Sequence, residues 1–295
     1  MKSQITNRMA TVLISVCAGL MALIMIALVG YIFYQGLGHV TWHFLTTVAS
    51  TFQVGGGIKD QLWNSFYLLI VTMIFTTPLG IAGGIYLSEY AKPNRVTGFI
   101  RSCVEVLASL PSIVVGLFGM LVFVNTFHWG YSILSGAVAL TIFNLPVIVR
   151  VTEDALRSVP VALKEASFGL GVGQWYTIKN VLLPAAFPGI LTGIILSAGR
   201  VFGESAALLF TAGLTSPDLD FKNWSPFAFD SPLNPLRSAE TLSVHIYSVN
   251  TVAIVKDAPQ VAAASAAVLA LFVLIFNLSA RGLGAWIQKR MSGKS

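Results

Sequence analysis

Residues 185–212 read AAFPGILTGIILSAGRVFGESAALLFTA, and this run decides what kind of chain carries it. It is long enough to cross a hydrocarbon core of ~30 Å, for which about 20 helical residues suffice, yet it holds Arg200 and Glu204 in its second half. A charge near the bilayer centre costs roughly 2.5–3.5 kcal/mol on insertion scales, so such a residue calls for a partner, a water-filled cavity or a passing ion. Working outward, five more apolar runs appear: Thr11–Tyr34, Leu62–Ser88, Val104–Val124, Tyr131–Val149 and Val261–Leu283. With 55% hydrophobic and 10% charged residues, the chain lies outside the range of ordinary soluble domains.

The expected fold is all-α and polytopic, with about six transmembrane helices. The runs lack the alternation a barrel requires, and helices alone then satisfy the backbone in lipid. The first run follows Lys2 and Arg8 as a signal peptide would, but it is too long and lacks a small-residue cleavage site, so a retained anchor is expected. Thirteen of the 18 Lys and Arg residues fall on the N-terminal side of the membrane and four on the other, with Arg200 left inside the fifth run. The cation bias places both termini in the cytoplasm and attributes the net charge of +6 to topology rather than to nucleic-acid binding. The expected organisation is an anchor helix and first outer loop over 1–61, a membrane core over 62–283 with an outer loop at 213–257, and a cytoplasmic tail over 284–295. That outer loop gathers Pro, Asp and Ser, which suits either a docking surface or a solvated linker.

Signals for catalysis are missing. There is no HExxH, CxxC pair or nucleophile elbow, and the four histidines are scattered. The terminal Gly293-Lys294-Ser295 imitates the end of a phosphate-binding loop, but Gln288 stands where its first Gly belongs. Cys17 and Cys103 lie on or near the cytoplasmic side, so no disulfide is expected, and no metal site is expected either. A chain of this kind that moves a solute uphill takes its energy from a partner.

The connection between the fourth and fifth runs is the informative one. Thr152 and Asp154 suit a helix start, Pro160 suits another, and Gly169, Gly171 and Gly173 bring that second helix to a stop, giving a short exposed helix near 161–170. By itself this suits a membrane-surface helix. Glu165-Ala166-Ser167, three residues, Gly171, nine residues and Val181-Leu182-Leu183-Pro184 resemble the EAA signature of bacterial ABC-importer permeases, with Ser167 in place of the second Ala and Val181 in place of Ile. In that family the element is the coupling helix that docks on an ATPase, which here implies a role for Glu165, Ala166, Ser167, Gly171, Leu183 and Pro184. LSEYAKPN at 87–94, LASLPSIVVGLFG at 107–119, LPVIVRVTEDALRSVP at 145–160 and GRVFGESAALLFTAG at 199–213 are similar to phosphate-importer permeases of the PstA type. The resemblance implies a PstC-like second permease, two PstB-like ATPase subunits that carry ATP and Mg, and a periplasmic phosphate-binding protein, with no cofactor in this chain. Permeases for sulfate, molybdate or phosphonate share the coupling element and remain the alternative.

Arg200 lies ~24 Å along the helix from Pro184 at ~1.5 Å per residue, near mid-membrane. Glu204 follows at i+4, so the two are expected on one face, either as an internal ion pair or as a site in which the arginine fork meets phosphate oxygens. Glu204 also suits an acceptor for the proton that phosphate keeps and sulfate does not. Arg150 closes the fourth run and reads as a snorkelling cation, while the resemblance implies a cytoplasmic-side phosphate contact. Glu105 suits a partner for Arg150 or an ordinary interfacial carboxylate, and reads more readily as the latter.

Overall fold

The computed structural model describes residues 2–50, 55–251 and 256–291, with helices and no strand among them. In order they are α1 (Lys2–Gly36), α2 (Trp42–Thr46), α3 (Lys59–Ile85), α4 (Arg95–Ser109), α5 (Ser112–Gly119), α6 (Ile133–Arg157), α7 (Val161–Gly169), α8 (Gln174–Thr177), α9 (Leu183–Gly203), α10 (Ala206–Leu209), α11 (Leu242–Thr251) and α12 (Ala258–Met291). Side-chain caps set several starts: Asn94 Oδ1 accepts from Thr97 N at 2.8 Å before α4, and Ser132 Oγ accepts from Ser135 N at 3.2 Å before α6. Wide π turns extend α3 to Tyr90 and α5 to Thr126, and another joins α8 to α9. Pro184 explains the last of these. It has no N–H for the carbonyl one turn back, and Leu183 N instead reaches Ile178 O five residues earlier.

Five helices are long and apolar enough to cross a membrane, and a sixth crossing exists only as a bent pair. The run Val104–Val124, expected as one span, is broken. Its α4 and α5 meet at 100° across Leu110-Pro111. Leu110 and Pro111 both take extended ψ values, 134° and 138°, as the restriction that proline imposes on its neighbour favours. The fourth span runs on past Val149 to Arg157, and Thr152 and Asp154 lie inside α6 rather than starting a helix; no breaker intervenes before Pro160. The fifth span starts at Gln174 and ends at Gly203, not Ala212. The tail expected from residue 284 continues α12 to Met291, and Gly293-Lys294-Ser295 falls outside the described residues.

The bundle centres on α6, the most enclosed long helix, with α3 and α9 against it. Lipid tails are as apolar as leucine, so close packing rather than exclusion from water holds such helices together. A Cβ on Gly80 would come 2.5 Å from Ile148, and one on Gly84 2.5 Å from Thr152, so α3 and α6 touch along small residues. Gly189 and Gly193 do the same for α9 against Ala155 and Val151. Leu68, Leu140, Phe143, Val201, Phe202 and Leu208 fill the space where the three meet. By contrast α1 leaves its apolar length uncovered, and its Gly36 end closes on Ala263 and Ala267 of α12.

Residues 213–251 are not idle coil. They fold back over the start of α3: Tyr67 Oη donates to Leu233 O at 2.7 Å, Trp63 Nε1 to Pro232 O at 3.0 Å, and Asn64 Nδ2 to Glu240 O at 3.0 Å. Arg237, 1% exposed, is the keystone. It donates to Ser231 O, Ser238 O, Pro232 O and, at 2.8 Å, Asn64 Oδ1. Burial lowers its pKa to about 10, still well above neutral, so the loop closes around a fixed charge.

Candidate substrate pathway and coupling surface

Arg200 sits in the last turn of α9, where the negative end of the helix dipole favours a cation. Its guanidinium carbon lies 3.8 Å from the centroid of the Phe143 ring, a cation–π contact on a buried aromatic of α6. Phe143 stands ~15 Å along α6 from Ile133 at ~1.5 Å per residue. A cavity of about 390 Å³ opens beside it, lined by Val147, Leu196, Ser197, Gly199, Val273 and Asn277. Gly199 makes room there: a Cβ would stand 3.2 Å from the Asn277 amide nitrogen. Ser197 Oγ is buried at this cavity without a hydrogen-bond partner, as is Asn144 Oδ1 next to Phe143 in the chain.

The expected Arg200–Glu204 face does not form. α9 ends at Gly203 and Glu204 is extended, with φ −75° and ψ 122°, so the i+4 relation is lost. Glu204 Oε1 accepts from Ala207 N at 3.3 Å and its carbonyl accepts from Ser243 Oγ at 2.7 Å. Among the described residues no carboxylate pairs with Arg200, and its fork is exposed on the surface of this chain.

Phe143, Val147 and Arg150 succeed one another at i, i+4 and i+7, one face of α6. The face therefore leads from the Arg200 cavity to Arg150. There Glu105 turns out to be a partner rather than a bystander, its Oε1 3.8 Å from Arg150 Nη2 with both side chains mostly exposed. A second cavity of about 170 Å³ lies there, lined by Arg101, Glu105, Arg150, Glu153, Asp154 and Arg157. Glu153 bridges Arg101 at 2.8 Å and Arg157 at 2.7 Å. Sequence reading missed the Arg101–Glu153 bridge, since nothing local links residues on α4 and α6.

The short helix expected near 161–170 forms over Val161–Gly169, and Gly171 turns the chain at φ +76°, a left-handed value that favours glycine. Glu165 and Ala166 are exposed while Ser167 is buried. The serine's presence has a reason: its hydroxyl lies 2.8 Å from Thr177 Oγ1 and ties α7 to α8. Glu89, from the 87–94 segment, holds both sides of the same corner, pairing with Lys164 Nζ at 2.6 Å and accepting through its carbonyl from Gln174 Nε2 at 2.8 Å. Leu183 is half-buried and Pro184 exposed at the start of α9. Around this braced corner Val161, Leu170, Trp175 and Tyr176 remain uncovered, an apolar surface at the end of a membrane bundle.

Residues 77–293 match the family of binding-protein-dependent transport system inner membrane components. The chain belongs to this family. As a member it is a multi-pass ABC transporter permease subunit, and its relatives agree. It is 56% identical over 292 residues to the probable ABC transporter permease protein YqgI of Bacillus subtilis, covering 99% of each chain. Over 251 residues it is 35% identical to the phosphate transport system permease protein PstA of Xylella fastidiosa, 84% of this chain and 82% of that one. Among solved structures, a chain of an alginate ABC transporter aligns with TM-score 0.62 and 16% identity, covering 95% of this permease and 94% of that chain. A chain of the MetNI methionine ABC transporter aligns with TM-score 0.59 and 18% identity, over 78% and 94%. At these identities the structures establish a shared permease fold and no substrate.

Proposed function

We propose that this permease forms half of the membrane pathway of an ATP-driven phosphate importer. The observation that carries the reading is Arg200: a guanidinium at the end of an apolar helix, backed by an aromatic face, beside a cavity and without a carboxylate partner among the described residues. Arginine offers parallel donors that match two oxygens of a phosphate, whereas a carboxylate partner would have occupied them. The naming of relatives as phosphate transport permeases supports the anion. Arg150, on the same face of α6, receives the anion on the cytoplasmic side, and Glu204 accepts the hydrogen bond of its proton.

The energy comes from outside the chain. The exposed surface of α7 and its neighbours docks on a PstB-like ATPase that binds ATP and Mg, and Glu165 and Ala166 lie at that contact. A PstC-like permease supplies the other half, and a phosphate-binding protein delivers substrate to the outer face. Both termini then lie in the cytoplasm of the inner membrane. Closure of two ATPases pulls α7, and the braced corner passes that displacement to α9 through Ser167–Thr177 and the α8–α9 turn.

The test is labelled phosphate uptake in cells lacking this chain, restored by the wild type and challenged with sulfate, together with copurification of a nucleotide-binding subunit. Restored uptake that sulfate does not compete supports the reading. Uptake competed equally by sulfate or molybdate moves the assignment to another oxyanion, and uptake without an ATPase partner overturns it.

A further inference from the structure

We infer that the cavity between residues 213–251 and the start of α3 is a binding site for a hydrated divalent cation. It measures about 320 Å³, and Asp60, Gln61, Ser216, Asp218, Glu240 and His245 are among its lining residues. Three are carboxylates, of which Asp60 and Glu240 are 2% and 7% exposed. Buried carboxylates need a counter-charge. Among the described residues, Lys59 and Arg237 act on Asp60 through space, and neither forms an ion pair with it. Arg237 directs its hydrogen bonds to Asn64 and to backbone carbonyls, and Lys59 turns its ammonium over the Phe221 ring at 4.2 Å. His245 Nδ1, 3.1 Å from Glu240 Oε1 but out of line for a hydrogen bond, offsets one negative charge at most.

A second, independent sign comes from an amide. Gln61, 3% exposed, donates through Nε2 to Glu240 Oε2 at 2.8 Å, which fixes its orientation and leaves Oε1 buried with no donor. Asp60 Oδ2 takes a long bond of 3.4 Å from Leu219 N, and its Oδ1 has none. Unmet acceptors of two chemical types thus line this space, where a cation or its water shell would satisfy them.

The dimensions select the form. Among the described residues no three His, Cys, Asp or Glu side chains converge closely enough to grip a bare metal ion. The cavity is about ten times the ~30 Å³ share of one water molecule, room for an ion that keeps its shell. Ions such as Mg²⁺ bind in this way, through one or two carboxylates with several waters retained. Such an ion joins Asp60 and Gln61 of α3 to Ser216, Asp218 and Glu240 of the loop that precedes α11, and so fastens the outer segment to the bundle.

The experiment is thermal unfolding of the full chain in nanodiscs, monitored by tryptophan fluorescence at constant ionic strength. Mg²⁺, Ca²⁺ and hexaamminecobalt(III), whose shell does not exchange, are titrated against choline. The wild type is expected to gain several degrees with each of the three. Asp60→Asn and Glu240→Gln should shift the half-saturating concentration at least tenfold upward, while Asp220→Asn, outside the cavity, keeps the wild-type response. Should either cavity variant fail to fold, the wild-type series still decides. A wild type indifferent to all three ions overturns the site in favour of protonated carboxylates. A full response in both cavity variants also overturns it, as does a response to Ca²⁺ without hexaamminecobalt.

Discussion

Replacing Arg200 by Lys keeps the charge and the reach but removes the fork. The structure fixes what should change. Because no carboxylate among the described residues pairs with Arg200, the substitution breaks no such ion pair, and folding stability should move by no more than about 1 kcal/mol, the scale of the exposed cation–π contact with Phe143 that Lys keeps in part. The loss falls on the substrate: one of two parallel charge-assisted hydrogen bonds, about 1.5–3 kcal/mol. At 1.4 kcal/mol per tenfold this is roughly 10–150-fold in phosphate uptake efficiency, and the open cavity favours the lower end through screening by water. Arg200→Gln, without the charge, should lose more. Phe143→Leu removes the aromatic backing and about 0.5–2 kcal/mol of cation–π attraction, a smaller loss in the same direction. The assay is labelled uptake over a range of phosphate concentrations at matched membrane abundance, with thermal unfolding of each variant. Wild-type kinetics in Arg200→Lys would refute the reasoning, and so would a strongly destabilised Arg200→Lys protein, which would mean a structural charge after all.

Four other outcomes are set by the packing. Ser167→Ala breaks the hydroxyl pair with Thr177, about 1 kcal/mol, and should weaken ATPase stimulation by substrate without lowering membrane abundance; Thr177→Val, which also loses its bond to Gly173 O, should show a coupling of about 1 kcal/mol with it in a double-mutant cycle. Glu89→Ala leaves Lys164 unpaired at a half-buried corner and should cost about 1–3 kcal/mol in thermal unfolding, with Glu89→Gln intermediate. Gly84→Val drives a side chain into Thr152 and should cost about 1–3 kcal/mol or more, read as lost folded yield in detergent, whereas the same change at Gly203, with nothing within 4 Å, should be tolerated for folding. Glu204→Gln should narrow the preference for phosphate over sulfate in competition assays; an unchanged ratio removes Glu204 from selectivity.

α6 carries Phe143 and Arg150 on one face and meets α9 along Gly189 and Gly193, so on the function proposed above a displacement of α9 would be felt at the contact that positions Arg200. A packed interface of this kind moves between discrete arrangements rather than deforming smoothly.

By itself the sequence determined the class and the parts. Apolar length dictates helices in lipid, the cation bias sets an expected orientation, and the short helix at 161–169 is bounded by Pro160 and Gly171, residues whose backbone limits act locally. Arg200 stood out because a charge in an apolar run is costly wherever the run ends up. Tertiary structure decided the rest. The sharp bend at Leu110-Pro111 breaks a run whose length reads as one span, since proline can kink a membrane helix or end it, and only the neighbours choose. Glu204 left the helix because the turn after Gly203 is shaped by its contacts with Ala207 and Ser243, which undid an i+4 relation that spacing alone made natural. The Arg101–Glu153 bridge, the grip of Glu89 on Lys164 and the acceptor-lined cavity at Asp60 and Glu240 join residues far apart in the chain. Charge pairing across such separations is a property of packed surfaces, and no local pattern of residue types encodes it.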